Sequence, residues 1–395
     1  MTSPLAAAHD LDSFRAAIRD WLPGAIPADW KGRIRRESEE GYLAVQREWY
    51  RAQTEAGLAT AHWPRDWGGA DLSLAAQVVL YEEMARADAP NTDLFTVSLY
   101  HMPATLFAYG TPEQRARYLE GVRTGGDIWC QGFSEPGAGS DLASLRTRAD
   151  RRGDVYVVNG QKIWSSYGVF ANYCLLLART NQEAARKHDG ISYFILDMKS
   201  PGLTVKPIRQ ITGEAEFAEI FFDDVEIPVE NLIGAENEGW RIAQSTLTAE
   251  RGLLIFENSE RLVHAVRRDA ARYRDLFARD PAKAAAFAGF YPRVRALKHM
   301  VGELLAQLER DPHAGGEIAT YIKLYWATLL QDYNGFTARL DGLDALIEAE
   351  PLRCAGQTPD DTMYAFLKSY SWTVAGGSNE IMRNVIAERL LGLPR

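Results

Sequence analysis

Three stretches hold residues whose types and spacing could do chemistry. In the first, Trp129-Cys130-Gln131-Gly132-Phe133-Ser134 is largely apolar and then breaks at Glu135-Pro136-Gly137-Ala138-Gly139-Ser140-Asp141. Proline and glycine there forbid regular structure and leave backbone N–H groups free for a polar ligand. The second alternates Val155 and Val157 against Tyr156 and Val158, carries the hairpin signal Asn159-Gly160, and runs into Gln161-Lys162-Ile163-Trp164-Ser165-Ser166. Two strand ends would then present Ser134 on one side and an indole with two hydroxyls on the other. A lone Gly-x-Gly-Ser is commonly a plain surface turn; the combination of the two stretches is what singles it out. In the third, Ala243, Leu247, Glu250 and Leu254 recur at three- and four-residue spacing on a helix beginning near Gly239-Trp240, so a carboxylate interrupts an apolar stripe. Burial would raise its pKa toward the range useful for a general base unless a cation holds it down. Arg251 is adjacent in sequence but about 100° round the helix. Taken alone, Glu250 also fits a salt-bridged or helix-edge residue.

The elements that must position these residues change period twice. Over residues 11–123 the pattern is helical, with Leu11, Phe14, Ile18 and Leu22 on one stripe and Thr111-Pro112-Glu113-Gln114 as a capped helix start. Between helices, Ala61-His62-Trp63-Pro64 and Trp67-Gly68-Gly69 form a rigid aromatic loop that fits simple packing, as do His62 and His101. Over residues 127–232 the period becomes two, in short segments at 173–177, 192–196 and 217–222, with 186–190 as an exposed loop. Helical periodicity returns from Glu236, is broken around 310–316, and ends in an element from about Ser378 to Gly392. The expected organisation is α+β and multidomain: a helical domain over 1–125, a β-domain over 126–235 and a helical bundle over 236–395.

Bulk properties narrow the function classes. A chain of 395 residues suggests two to three domains and is ample for a buried cofactor. Its net charge of −9 disfavours non-specific nucleic-acid binding, and no run approaches the ~20 apolar residues of a membrane helix. The three cysteines, Cys130, Cys174 and Cys354, form no CxxC pair, so packed thiols are expected and no metal site. The first ten residues lack a signal-peptide pattern, and the expected location is cytoplasmic.

Phe-Ser-Glu-Pro-Gly-Ala-Gly-Ser-Asp at 133–141, followed by Gly-Gln-Lys-Ile-Trp at 160–164, closely resembles the acyl-CoA dehydrogenase family, and the resemblance covers nearly the whole chain. It implies an N-terminal helical domain, a middle β-barrel or sandwich domain and a C-terminal four-helix bundle. It also implies FAD held against an acyl-CoA thioester, with electrons passed to an electron-transfer flavoprotein. Carried over by position, Gln131, Phe133, Ser134, Trp164, Ser165 and Ser166 would meet the flavin ring. Gly139 and Ser140 would lie near the pyrophosphate and the CoA entrance, with Ser140 and Arg251 on the substrate side. Ser378 and Glu380 match residues that reach the dinucleotide from the C-terminal end.

Two departures from the family pattern are informative. Many members take their base from a Glu near the C-terminus, but in Ala375-Gly376-Gly377-Ser378-Asn379-Glu380 that position is Gly376. A minority take it from a Glu-Arg pair on the helix after the β-domain, which Glu250-Arg251 matches; the Gly376 N–H would then help polarise the thioester carbonyl. The family's adenine-side elements, Arg-x-x-Phe-Gly and Gln-x-x-Gly-Gly-x-Gly, are absent, with Asp275-Leu276-Phe277-Ala278 and Asp360-Asp361-Thr362-Met363 standing in their places. A paralogous partner chain would then complete each FAD site, as in the α2β2 branch of the family that includes dehydrogenases of steroid side-chain and dicarboxylyl CoA esters; a homo-oligomer with an atypical site is the alternative. Two other activities stay open on this fold: a flavin oxidase or monooxygenase that uses oxygen, and a non-catalytic subunit that completes a paralogue's FAD site.

Overall fold

The computed structural model describes residues 3–311, 316–346 and 361–394, with side chains for all of these except 35–38, 245, 247–255 and 345–346. The N-terminal part is helical: α1 (Leu11–Ala25), α2 (Trp30–Glu55), α3 (Leu74–Arg86), α4 (Met102–Tyr109) and α5 (Pro112–Arg123). Asp10 caps α1 by accepting the Ser13 N–H, and the stripe Phe14, Ile18 and Leu22 is buried while Leu11 at its end is exposed. The expected start of α5 is a full capping box. The Thr111 hydroxyl accepts the Gln114 N–H at 3.2 Å, and the Gln114 side chain accepts the Thr111 N–H at 3.1 Å. Trp63 and His62 are packed as expected, both ring nitrogens meeting the Leu99 carbonyl, and burial pushes the His62 imidazole down to about 4, so it is neutral at pH 7.

Eight strands follow: β1 (Trp129–Gly132), β2 (Arg148–Arg152), β3 (Val155–Ser166), β4 (Tyr173–Arg179), β5 (Ile191–Asp197), β6 (Leu203–Ile208), β7 (Phe217–Pro228) and β8 (Leu232–Ile233). They form one sheet in the order β6-β7-β3-β2-β4-β5-β8, with β1 added in parallel beside β4. The middles of β4 and β5 are buried on both faces, which is why they are unbroken apolar runs. Cys130 and Cys174 face each other in register as buried free thiols; Cys354 lies outside the described residues.

Helices resume with α6 (Gly239–Arg272), α7 (Arg274–Arg279), α8 (Pro281–Ala288), α9 (Phe290–Arg310), α10 (Gly316–Asp341), α11 (Thr362–Trp372) and α12 (Asn379–Val385). The long α6 packs on α9 and α10, and α10 packs on α9 and α11. One apolar core joins α1 and α3 to this bundle, a second joins the N-terminal helices to one face of the sheet, and a third fills the β-domain. Among the described residues no helix is long and apolar enough to cross a membrane.

One sequence expectation is overturned. Asn159-Gly160 is no hairpin turn: it lies inside β3, and the turn between β2 and β3 is at Gly153-Asp154. At Gly160 the register against β7 shifts, φ is 148°, and a Cβ would come within 2.7 Å of the Thr147 backbone. The glycine serves a bulge and a close chain crossing, a requirement that local sequence cannot distinguish from a turn. Gly160→Ala should therefore lower stability by roughly 1–3 kcal/mol in a urea titration; an unchanged midpoint would contradict this account of the bulge.

Candidate active site

The two singled-out strand ends meet. The Ile163 N–H donates to the Ser134 carbonyl at 2.9 Å, so the end of β3 lies beside the end of β1. Beneath that contact lies Lys162, fully buried, whose Nζ donates to the Phe133 carbonyl and to Glu135 Oε1, both at 2.9 Å. Glu135 also accepts the N–H groups of Arg146 at 2.6 Å and Thr147 at 2.8 Å. Burial alone would push the Glu135 carboxyl up; Lys162 and these donors outweigh it and hold the group below its ordinary 4.5. One carboxylate thus folds the glycine-rich loop back onto both strands.

Around this anchor the chosen residues divide. Phe133 is buried edge-on against Tyr193, with ring centroids 5.6 Å apart. Ser134 and Ser166 are half-buried. Ser165 is fully buried, yet its hydroxyl has no hydrogen-bond partner among the described residues, and neither does the buried Nε2 of Gln131. Trp164 adopts φ 63° and leaves its indole 55% exposed, meeting the Phe217 ring edge-on at 5.8 Å. Gly139 and Ser140 are exposed, with open space where a Gly139 side chain would stand, and the next residue, Asp141, is tied to Lys187 at 2.7 Å. Unmet buried polar atoms beside a displayed indole suit a flat, hydrogen-bonding ring system such as a flavin.

Each strand end is tied to a different helix of the bundle. On one side the Tyr193 hydroxyl reaches the buried Thr246 hydroxyl of α6 at 3.5 Å, and Thr246 is bonded at 2.7 Å to Thr105 of α4. Position 250 is four residues further along α6, about 6 Å. The side chains of Glu250 and Arg251 lie outside the described residues. On the other side Lys368 of α11 sits 6.0 Å over the Phe217 ring and is paired with Glu214 at 3.1 Å and with Glu216. Tyr364 donates to Glu214 at 2.5 Å. Burial would lower the Lys368 ammonium, but the two carboxylates outweigh it and hold the pKa above its ordinary value. Asp93 lies in the same electrostatic neighbourhood and is pushed up to about 7, by burial first and then by Glu216 and Glu257.

Four residues after α11, Gly376 and Gly377 take φ of 65° and 93°, and Lys323 fixes them by donating to the Gly377 carbonyl at 2.6 Å. Ser378 caps α12 through the Ile381 N–H, and the exposed Glu380 pairs with Arg383 at 3.1 Å. At the expected adenine-side segments, Phe277 packs on Phe287 at 4.9 Å and Asp361 caps α11 through the Tyr364 N–H; Asp360 lies outside the described residues. Sequence reasoning gave no role to the Glu135–Lys162 pair or to the Glu214–Glu216–Lys368–Tyr364 network. A single lysine at an inward position of an apolar strand was the available signal for the first; the second joins residues 150 or more apart in sequence.

The chain is similar to known proteins over nearly its whole length. Family profiles for the acyl-CoA dehydrogenase N-terminal, middle and C-terminal domains match residues 9–126, 130–225 and 237–391. Acyl-CoA dehydrogenase IpdE1 of Mycobacterium tuberculosis is 37% identical, over 98% of this chain and 99% of its own. The solved Tcur3481-Tcur3483 steroid ACAD superposes with a TM-score of 0.86 at 30% identity, covering 98% of each chain. The ChsE4-ChsE5 complex of M. tuberculosis gives 0.81 at 28%, again over 98% of each chain.

The buried pair carries its own test. Lys162→Met strands a carboxylate and should cost about 3–5 kcal/mol in denaturant unfolding. Because Glu135 is held below 4.5, its contribution is present above that pH and is lost as pH falls through the native value. Glu135→Gln should therefore flatten the acid limb of the stability profile below about pH 4.5; an acid limb identical to that of the unsubstituted protein would contradict the assignment.

Proposed function

The chain belongs to the acyl-CoA dehydrogenase family of oxidoreductases, and from that premise we propose that it converts an acyl-CoA thioester to its trans-2-enoyl-CoA with FAD, using Glu250 as the base. The observation that carries the reading is the pair of unmet polar atoms, Gln131 Nε2 and Ser165 Oγ, beside the exposed Trp164 indole at the joined strand ends. FAD, when bound, supplies the acceptor for the hydride leaving the β carbon. Gln131, Ser134, Ser165 and Ser166 would supply hydrogen bonds to the ring edge, Phe133 and Trp164 would flank it, and Gly139 and Ser140 would lie toward the pyrophosphate. Ser378 and Glu380 would approach the dinucleotide from the C-terminal side.

Glu250 would take the α proton, leaving the electron pair to form the new double bond as the β hydride departs. The proton is only weakly acidic, so the thioester oxygen must be stabilised as charge develops, a role for the Gly376 N–H. A glycine at 376 has no side-chain carboxylate to act as base and leaves room for a bulky acyl group. With the likeness to a solved steroid ACAD, this favours a ring-bearing, steroid-derived acyl chain. Arg251 would lie toward the substrate. Electrons would pass on to an electron-transfer flavoprotein.

The absent adenine-side motifs and the likeness to two-component structures support a paralogous partner chain. Co-expression with such a paralogue should yield one FAD per heterodimer; full flavin occupancy in the isolated chain would overturn the partner assignment. Glu250→Gln should retain flavin and fold but slow anaerobic flavin reduction by acyl-CoA at least a thousandfold, beyond the usual 10²–10⁴ range's lower half for a lost general base. Reduction at the unsubstituted rate would reject Glu250.

A further inference from the structure

The turn between α11 and α12 carries Gly376, and its backbone is tied at both ends. The Thr373 N–H donates to the Tyr370 carbonyl and the Val374 N–H to the Ser371 carbonyl, both at 3.1 Å, and the Ala375 N–H donates to Ser371 at 2.8 Å, which finishes α11. From the other side the Asn379 N–H reaches back to the Thr373 carbonyl at 2.8 Å, and Ser378 caps α12. Between these ties the N–H groups of Gly376 and Gly377 donate to no group among the described residues. They are available to a ligand.

Two consecutive glycines in left-handed conformations, with φ of 65° and 93°, do not hold one shape by themselves. A donor that must meet a developing oxyanion has to be held, since a displacement of about 1 Å can cost about a hundredfold in rate.

The hold comes from α10. Lys323 follows the core residue Ile322, precedes the core residue Trp326, and is itself 5% exposed. Its Nζ donates to the Gly377 carbonyl at 2.6 Å and to Asn379 Oδ1 at 3.2 Å, so one ammonium grips the chain on both sides of Ser378. The Asn379 amide in turn reaches the Thr328 hydroxyl, also on α10, at 3.5 Å. Burying an ammonium is costly unless its acceptors stay in place, so any arrangement of the turn that withdraws the Gly377 carbonyl is penalised. The helix that carries this clamp also packs on α6, the helix of position 250, and on α11 and α12. Base and donor are therefore referred to one frame.

We propose that Lys323 is a positioning residue for the dehydrogenation: it holds the Gly376 N–H where the thioester oxygen gathers charge, and it sets an ammonium against the residue next to that N–H. The inference rests on the acyl-CoA reading above. When Glu250 removes the α proton, the electron pair left on the α carbon is shared with the thioester oxygen until the β hydride departs. A fixed donor with a cation close by favours that state over the neutral ester.

A 3-oxoacyl-CoA has no hydride on its β carbon to give, so the acidity of its α carbon in the site reports the donor without the redox step. On the FAD-loaded protein with its partner chain, followed at the enolate absorbance, the pKa of the bound ester should be about one to two units higher in Lys323→Met than in the unsubstituted protein. Flavin reduction by a saturated acyl-CoA should slow by about tenfold to a hundredfold, less than for outright removal of such a donor, with the half-saturating concentration changed by less than about threefold. Lys323→Arg, which keeps the charge and the donors, should stay within about threefold of the unsubstituted rate. Should Lys323→Met lose its flavin, Lys323→Gln, which keeps an amide donor without the charge, decides alone with a rise of about one unit. An unchanged enolate pKa in the deciding variant, or a loss of rate as large in Lys323→Arg as in that variant, would overturn the role of Lys323 and leave the acyl-CoA reading standing. If no acyl-CoA bleaches the flavin of the unsubstituted protein, the acyl-CoA reading itself fails and the role falls with it.

Discussion

The site depends on a buried charge. Lys162 is enclosed in the sheet, and the counter-charge that makes this tolerable is Glu135 in the loop where β1 ends. A loop built from Pro136, Gly137 and Gly139 has little intrinsic preference for one shape. Two backbone donors, one ammonium and one carbonyl converge on its conformation instead. An ion pair of this kind adds little to net stability, because desolvation consumes most of the attraction, but a half-formed pair is strongly penalised. The result is a loop with one low-energy arrangement, which is what the proposed flavin site requires.

From that anchor, order spreads to two helices that are remote in sequence. Phe133 packs on Tyr193, which reaches Thr246 and so fixes the phase of α6 one turn before position 250. Trp164 packs on Phe217, which lies under Lys368 and so connects to α11 and the Gly376-Gly377 turn. The β-domain therefore positions both the proposed base and the proposed carbonyl-polarising N–H without contributing either. Strain collects at the same place: Trp164 holds a left-handed backbone conformation that a bulky residue rarely adopts.

Much of this was legible from residue types. The three-part α, β, α organisation followed from a change of period, the start of α5 from Thr-Pro-Glu-Gln, and the packing of Trp63 from its proline and glycine neighbours. The loop at 134–141 and the Trp164-Ser165-Ser166 end were identifiable because unusual residues cluster there. What stayed hidden depends on long-range approach. Asn159-Gly160 resembles a turn locally, and only the crossing of Thr147 makes it a bulge. Lys368 resembles an ordinary helix-surface lysine until the fold brings Glu214 and Glu216 to it.

The most direct test of the account is an anaerobic titration of the FAD-loaded protein, with its partner chain, against a fused-ring acyl-CoA, following the flavin absorbance. The account predicts progressive bleaching that is complete near one substrate equivalent per flavin, with appearance of the enoyl-CoA. A flavin that stays oxidised throughout, in protein that binds the ester, would contradict it.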